Sequence, residues 1–385
     1  MARPGTLAEA AALLRELSAA GRPVRPVGGG TKPWGAPDAA GAEPLETGGL
    51  GRILEHNVGD FTAVLEAGVP FAAAQAAFAE HGQALAWDPP AGGGATLGGI
   101  MATADSGPLR HRFGGVRDLV VGVGVVLSDG TVAKAGGKVI KNVAGYDLAK
   151  LFAGSFGTLG LIATLAVRLH PAATATATAS GASDDPERLL RAAVALAGAP
   201  LEADCLDVAW ADGAGELLVR YSGGTAARRA QETAARLGEL LEAPRADEDD
   251  APRWHAQRAR QRGAAVLKVS GLTTDLPRVV AVAREQRATV AGRAALGLYW
   301  LAFEPAAGDA LAQPGAAARD DLARRVAAAR TALAPRAATL LDGAAATLAL
   351  DPWPAAGSAQ VVMERLKARF DPARTFRPGS FVAGI

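Results

Sequence analysis

Cysteine is all but missing from this chain: Cys205 stands alone among 385 residues. A disulfide framework within the chain is excluded, and so are thiolate-bound zinc and iron–sulfur clusters. Histidine is scarce, and the five present (His56, His81, His111, His170, His255) show no metal-ligand spacing. An excess of one charge is also lacking. Forty Lys and Arg against 39 Asp and Glu leave a net +1, which gives no electrostatic case for nucleic acid or an anionic membrane as the main partner. No stretch reaches the roughly 20 apolar residues needed to span a bilayer. The N-terminal stretch carries acids and an amphipathic pattern, Leu7/Leu13/Leu14/Leu17, without a basic start and an apolar core. It reads as a surface helix and not as a signal peptide. These absences fit a reducing cytoplasm.

What is present is ordinary for a soluble globular protein, with 49% hydrophobic and 21% charged residues. The length suggests two domains. Residues 7–20 read as a helix ended by Gly21 and Pro23, and 23–27 as a short strand running into a glycine cluster. Residues 53–55 and 63–66 read as strands, and 71–80 as a helix. Pro89-Pro90 and Gly92-Gly93-Gly94 then break the pattern. Residues 120–127, the turn Ser128-Asp129-Gly130 and residues 131–135 give a hairpin signal. Residues 148–152 read as a helical turn and 161–169 as a strand. Texture changes at Pro171. Alternating Ala and Thr from 172 to 180 suits a strand, and helices (187–196, 225–241, 253–260, 277–286) alternate with strands (204–210, 216–221, 264–270, 296–303). That alternation suggests an α+β sandwich on a mixed or antiparallel sheet. Residues 360–370 read as a closing helix with apolar Val361, Val362, Leu366 and Phe370, followed by a rigid turn that packs back on the first domain.

Three glycine-bearing stretches carry the chemistry. Val27-Gly28-Gly29-Gly30-Thr31-Lys32 offers close backbone approach and several inward N–H groups, an anion nest suited to a pyrophosphate. Thr31 adds a hydroxyl donor and Lys32 a charge. The order fits neither a Walker loop nor G-x-G-x-x-G with a ribose-binding acid, and a flexible turn is the alternative. Thr96-Leu97-Gly98-Gly99-Ile100-Met101-Ala102-Thr103, followed by Ser106-Gly107, lets a planar ring or a phosphate lie against bare backbone; a packed Gly/Ala turn is the alternative. Gly154-Ser155-Phe156-Gly157-Thr158-Leu159-Gly160-Leu161-Ile162 places glycines at three-residue spacing before a strand. Upstream, Lys138 to Asp147 concentrates Lys141, Asn142, Tyr146 and Asp147, for which a surface loop with one salt bridge is the bland reading.

Together these stretches resemble the flavin-binding domain of the vanillyl-alcohol oxidase / p-cresol methylhydroxylase flavoprotein superfamily. Gly115-Val-Arg-Asp118, Asp129-Gly130 and the Gly154–Gly160 run are similar to its lactate and glycolate dehydrogenase branch. Lys141-Asn-Val-Ala-Gly-Tyr-Asp-Leu and Phe370-Asp-Pro-Ala-Arg-Thr-Phe-Arg-Pro-Gly fit the FAD-binding E-subunit family of bacterial glycolate oxidases. The resemblance implies an α+β architecture of two lobes: an FAD-binding domain at 1–172, a cap at 173–350, and a C-terminal segment, 351–385, packing back on the first. It implies a pyrophosphate cradle at Val27–Lys32. Thr96, Leu97, Gly98, Ala102, Thr103, Ser106 and Gly107 would line the ribityl chain and ring, between the lobes. Gly157, Thr158, Gly160 and Ile162 would receive the adenosine part, with Asn142 and Tyr146 nearby.

Two departures matter. Members that tether FAD covalently often carry His in or near the first glycine loop, or a later Cys; here the loop holds Thr31-Lys32, so the FAD is expected to be non-covalent. The His-Glu-Gly-Asp/Asn cluster of substrate-oxidising relatives has no counterpart, since Trp300-Leu-Ala-Phe-Glu304 lacks His and His255 stands beside Trp254 without catalytic partners. Oxidising a 2-hydroxy acid needs a base, a carboxylate clamp and a flavin, and no base is evident. The leading expectation is a subunit that pairs with a larger FAD-binding glycolate oxidase subunit and an iron–sulfur subunit, contributing to oxidation of glycolate to glyoxylate or to electron relay, with any membrane contact made through the complex. A self-sufficient dehydrogenase using Tyr146 or Lys141 as base is the second, and a non-enzymatic scaffold the third. Gly29→Glu is expected to abolish FAD binding by filling the nest.

Overall fold

A computed structural model describes residues 2–39, 41–90, 92–138, 146–305, 315–342 and 347–385. The chain forms two compact units. The first comprises Met1–Ser106, Gly114–Ala172 and Ala355–Ile385; the second comprises Gly107–Phe113 and Ala173–Pro354. Residues 107–113 therefore belong to the second unit, and the closing segment of the first begins at Ala355.

In the first unit the strands are β1 (Val24–Val27), β2 (Glu43–Glu46), β3 (Ile53–Asn57), β4 (Thr62–Glu66), β5 (Gln83–Ala84), β6 (Val120–Val126), β7 (Val132–Gly136), β8 (Leu161–Arg168) and β9 (His170–Pro171). β1 and β2 pair in parallel. β3-β4-β8-β6-β7 form an antiparallel sheet, and β5 pairs with β9. The helix Leu7–Ala19 starts where Thr6 accepts a hydrogen bond from the Glu9 N–H, the usual role of a hydroxyl at an N-cap. Its 3.6-residue period puts Ala10, Leu14 and Leu17 against Val24, Leu45, Val126, Leu161 and Phe376 in one buried cluster. Each buried leucine there is worth about 1.5–3 kcal/mol. The β6–β7 turn is set by Asp129, whose Oδ1 accepts from the Thr131 N–H at 2.8 Å. Gly130 at φ +80 follows, and a Cβ there would lie 2.5 Å from the Ala11 carbonyl oxygen on that helix.

The second unit is built on β10 (Thr176–Ser183), β11 (Cys205–Ala211), β12 (Ala214–Ser222), β13 (Glu242–Asp247), β14 (Ala265–Ser270), β15 (Thr289–Arg293), β16 (Leu298–Phe303) and β17 (Ala337–Leu341). They make one sheet in the order β13-β10-β12-β11-β15-β16-β14-β17, antiparallel at every pairing. Helices Pro186–Ala197, Ala226–Gly238, Leu276–Glu285 and Ala316–Leu333 bury their apolar stripes against the sheet residues Leu206, Val208, Trp210, Val290, Tyr299 and Leu301. Side chains alternate along a strand, so Asp207, Arg293 and Trp300 lie on the opposite face from that cluster.

A buried network shapes this second face. Both Asp250 carboxylate oxygens accept from Arg220, at 2.9 and 3.0 Å, and from Thr176 and Thr178. Asp250 thereby anchors the start of the helix Ala251–Ala259 to β10 and β12 without bonding the helix N–H groups, and Trp254 and Gln257 on that helix donate to Thr178 and to the Val208 carbonyl of the sheet. Gln257 donates to Asp207 at 2.9 Å. Arg293 stands 3.5 Å from Asp207, donates to Gln261 at 2.6 Å and lies 4.4 Å from the Trp300 ring centre. Among the described residues, no helix is long and apolar enough to cross a membrane.

The structure adds elements that sequence pattern missed. β13 is an edge strand with nearly every side chain exposed, so it carries no alternation. β15 is short and buried throughout its last four residues, including Gly292, so alternation is again invisible. The segment Leu97–Thr103 is helical despite two glycines, because Thr96 caps it. The closing helix Gln360–Phe370 departs from its expected apolar face: Val361 and Val362 are 53% and 58% exposed, and its buried side chain is Lys367.

Candidate cofactor site

The first glycine loop hangs from the end of β1. That strand is held on one side by β2 and on the other by the C-terminal segment: the Val24 N–H donates to the Thr375 carbonyl at 2.7 Å, and the Arg377 N–H donates to the Val24 carbonyl at 3.0 Å. Val27 ends the strand, its carbonyl accepting from the Thr47 hydroxyl at 3.2 Å. A Cβ on Gly28 would lie 2.2 Å from Thr96 Oγ1, and one on Gly29 would lie 1.6 Å from the Gly94 carbonyl oxygen. Gly28 thus leaves room for the Thr96 side chain and Gly29 for the Gly94 backbone, so the first loop packs directly on the start of the second stretch. Gly30 serves differently: its φ is +65 and a Cβ would meet nothing within 4 Å, so conformation alone favours glycine. All three are exposed. Among the described residues, the Gly29 and Gly30 N–H groups meet no acceptor. Exposed, unpaired N–H groups on successive residues suit an anion.

The second stretch is rigidly held. The Leu97 N–H donates to the Val69 carbonyl at 3.0 Å and the Gly98 N–H to the Ala67 carbonyl at 2.7 Å. A Cβ on Gly98 would lie 2.8 Å from Ala67 Cβ. Leu97 is fully buried, so Leu97 and Gly98 serve packing against the end of β4, while Ala102 and Thr103 are half-buried. The Thr103 hydroxyl donates to the Gly99 carbonyl at 2.8 Å. After Ala104, at φ 49, Asp105 and Ser106 are buried. Lys32 Nζ lies 3.5 Å from Asp105 Oδ2 and 3.4 Å from Thr31 Oγ1. Lys32 thus ties the first loop to the second, and the charge expected to face a phosphate already has a carboxylate beside it. Gly107 lies in the second unit, where its carbonyl accepts from Arg293 Nε at 3.1 Å.

The third stretch is bonded to the same helix end. The Gly154 N–H donates to the Met101 carbonyl at 3.0 Å and the Phe156 N–H to the Ala102 carbonyl at 2.8 Å. Phe156 and Gly157 both have positive φ, 55 and 73, and the former costs a non-glycine residue roughly 1–2 kcal/mol. The Thr158 hydroxyl donates to the Ser155 carbonyl at 2.7 Å. Gly160 packs 3.2 Å, by an added Cβ, from the Val126 carbonyl oxygen, and Ile162 is buried in β8. Gly160 and the Ile162 side chain therefore pack against the strands. Tyr146 is 91% exposed, and Asn142, like Lys141, lies outside the described residues.

Sequence reasoning missed the residues that hold this loop from behind. Lys367, buried with Asp371, donates to the Thr158 carbonyl at 2.8 Å, to Asp371 Oδ2 at 2.7 Å and to the Phe376 carbonyl at 2.7 Å. Burial pulls its pKa down, against the opposing pull of Asp371. Asp371 accepts from the Thr375 and Phe376 N–H groups at 3.0 and 2.8 Å. Arg377 donates to Asp38 at 2.5 Å and to the Phe156 carbonyl at 3.0 Å. The motif from Phe370 to Arg377 was the available signal; its resemblance was read, but not its roles. Among the described residues, no group of His, Cys, Asp and Glu is suited to hold a metal ion, and His255 is exposed.

Residues 1–136 match the family of FAD binding domains. Over 120 residues the chain is 37% identical to glycolate oxidase subunit GlcE of Escherichia coli (strain K12), covering 31% of this chain and 34% of that one. Over 168 residues it is 34% identical to the mitochondrial D-lactate dehydrogenase (cytochrome) of Arabidopsis thaliana, covering 43% of this chain and 29% of that one. The matches thus span about a third of the curated relatives' length. A solved structure of alkyldihydroxyacetonephosphate synthase shares the fold, with a TM-score of 0.71 at 13% identity over 98% of this chain and 76% of that one. The match to an FAD binding domain thus falls on residues 1–136, and the likeness to the synthase is one of fold. The chain's two named relatives are an oxidase subunit for glycolate and a dehydrogenase for D-lactate, both small 2-hydroxy acids.

Proposed function

We propose that this chain is the FAD-binding subunit of a 2-hydroxy-acid dehydrogenase of the glycolate oxidase kind, working in the cytoplasm with a larger FAD-binding subunit and an iron–sulfur subunit. The observation that carries the reading is the first glycine loop, whose exposed N–H groups at Gly29 and Gly30 meet no acceptor while Lys32 stands beside it. The residues fit the cofactor: the Gly28–Lys32 loop would hold the pyrophosphate, the Ala102–Ser106 backbone the ribityl chain and ring, and the Gly157–Leu159 loop the adenosine part. Bound there, FAD supplies the two-electron acceptor that oxidation of a carbinol carbon requires.

The chain's own residues bind and orient. The carboxylates described at the site, Asp38, Asp105 and Asp371, are paired with Arg377, Lys32 and Lys367. That favours a subunit that holds FAD within a complex over a self-contained dehydrogenase, since a general base must be within reach of the hydroxyl proton it removes. The first glycine loop holds Thr31-Lys32 where covalently tethered members often carry His, and the lone Cys205 is buried beside Leu218 and Trp254, which supports non-covalent FAD.

The test is the visible spectrum of the purified chain, repeated on the supernatant after acid precipitation. Flavin bands should move to the supernatant. Dye reduction by glycolate or D-lactate should be negligible with the chain alone and appear with the partner subunits. Full turnover by the isolated chain would overturn the subunit reading, and absence of flavin after added FAD would overturn the cofactor reading.

A further inference from the structure

We propose that Arg377 and Lys367 are positioning residues that aim two backbone N–H groups, those of Gly157 and Leu159, at the adenosine half of FAD. The inference rests on the FAD reading of the Gly157–Leu159 loop given above.

A trans peptide places its carbonyl and its N–H on opposite sides. Arg377 Nη1 engages the Phe156 carbonyl at 3.0 Å, so the Gly157 N–H of the same peptide points away from the guanidinium. Lys367 Nζ engages the Thr158 carbonyl at 2.8 Å, so the Leu159 N–H points away from the ammonium. Both residues are buried, and among the described residues neither N–H meets an acceptor. Buried N–H groups without partners are rare in folded proteins, so two of them, two residues apart, mark a place for acceptor atoms from outside the chain.

The cations are fixed for the task. The three N–H bonds of the Lys367 ammonium are matched by three oxygens. Arg377 is held by Asp38 through Nε and by the Val24 carbonyl through its own N–H. The Phe156 ring lies 5.7 Å from that of Phe381, so the C-terminal segment also braces the residue that carries the unfavourable φ. Such a conformation persists where its surroundings over-determine it.

FMN shares the ring, the ribityl chain and one phosphate with FAD but lacks the adenylate. The full chain should bind FAD more tightly than FMN. Arg377→Gln should weaken FAD at least tenfold while FMN changes less than twofold, and Arg377→Lys should recover part of the loss. A parallel fall for both flavins, or no change for FAD, would overturn the proposal. Amide hydrogen exchange on the unaltered chain gives a second readout that no folding defect can confuse. Peptides containing Gly157 and Leu159 should be protected by FAD or ADP and not by FMN; equal protection by all three, or by none, overturns it. A chain that binds no flavin at all would instead remove the cofactor reading on which this one stands.

Discussion

Lys32 Nζ lies 3.5 Å from Asp105 Oδ2, with the two side chains only 6% and 3% exposed. The pair joins the loop after β1 to the segment that leaves the helix Leu97–Thr103, so it fixes the spacing of the cradle's two leading walls. Removing one member of a buried pair strands the other, at about 3–5 kcal/mol. Lys32→Met should therefore lower the melting temperature clearly. Adding Asp105→Asn should recover most of it, while FAD affinity stays reduced because the ammonium beside the nest is gone. Thermal melts and flavin titrations on the two variants check this.

Gly29→Ala should be as damaging as Gly29→Glu. The sequence reading has the larger side chain filling the nest; the structure puts the clash at the first carbon, 1.6 Å from the Gly94 carbonyl oxygen. The loops must separate, and FAD affinity should fall at least tenfold. Gly30→Ala meets open space and bears only the left-handed penalty of roughly 1–2 kcal/mol, so its flavin content should remain near that of the unaltered chain. Absorbance ratios of the purified variants distinguish the two.

Acid should destabilise the protein in two windows. Burial holds the His111 pKa below 6.5, against the opposing charge of Asp204. The unfolded chain therefore takes up that proton first, and stability is lost as pH falls below 6.5 towards the folded value. Burial alone would raise the Glu66 pKa, but hydrogen bonds and charge from Arg52 outweigh it and hold the carboxyl below 4.5. Its contribution is present above 4.5 and lost as pH falls through the lowered value. Urea midpoints measured from about pH 7.5 down to about pH 2.5 should show both losses, and His111→Leu should flatten the upper one.

The Arg293–Asp207 pair should respond asymmetrically. Burial pushes the Asp207 carboxyl up despite Arg293, and Asp207→Asn should be the milder change because Arg293 keeps Gln261, the Gly107 carbonyl and the Trp300 ring as partners. Arg293→Met removes the partner of Gln261, of the Gly107 carbonyl and of Asp207 together, and should cost about 3–5 kcal/mol. Chemical denaturation of the two variants checks the contrast.

Local signals account for what the sequence made legible. Gly21 and Pro23 stop the first helix, Asp129-Gly130 makes its hairpin, and period-two alternation marks β8. The first glycine loop was legible because its chemistry is backbone chemistry and glycine is its signature. What stayed hidden depends on partners far along the chain. Lys367 reads as a solvated helix lysine until the Thr158 carbonyl is found beside it, 209 positions away. Gly98 and Gly160 look like ligand glycines, and their packing role could not be read in the sequence, because only the fold shows Ala67 and Val126 opposite them. Gly107 adjoins Ser106 in sequence, yet its fold partner is Arg293.

The strand that delivers the first glycine loop has the C-terminal segment as one of its two neighbours, with Arg377 and Asp38 meeting across 339 positions. A nascent chain emerging from the ribosome thus makes its first glycine loop long before the segment that braces it exists. Contacts of such separation are slow to close, so FAD capture should wait until residues 371–385 have been made. Until then the face of Val24, Leu45 and Leu14 that Phe376 covers is open to chaperones, and apoprotein cut before Thr375 should be a substrate for proteolysis rather than a reservoir awaiting flavin.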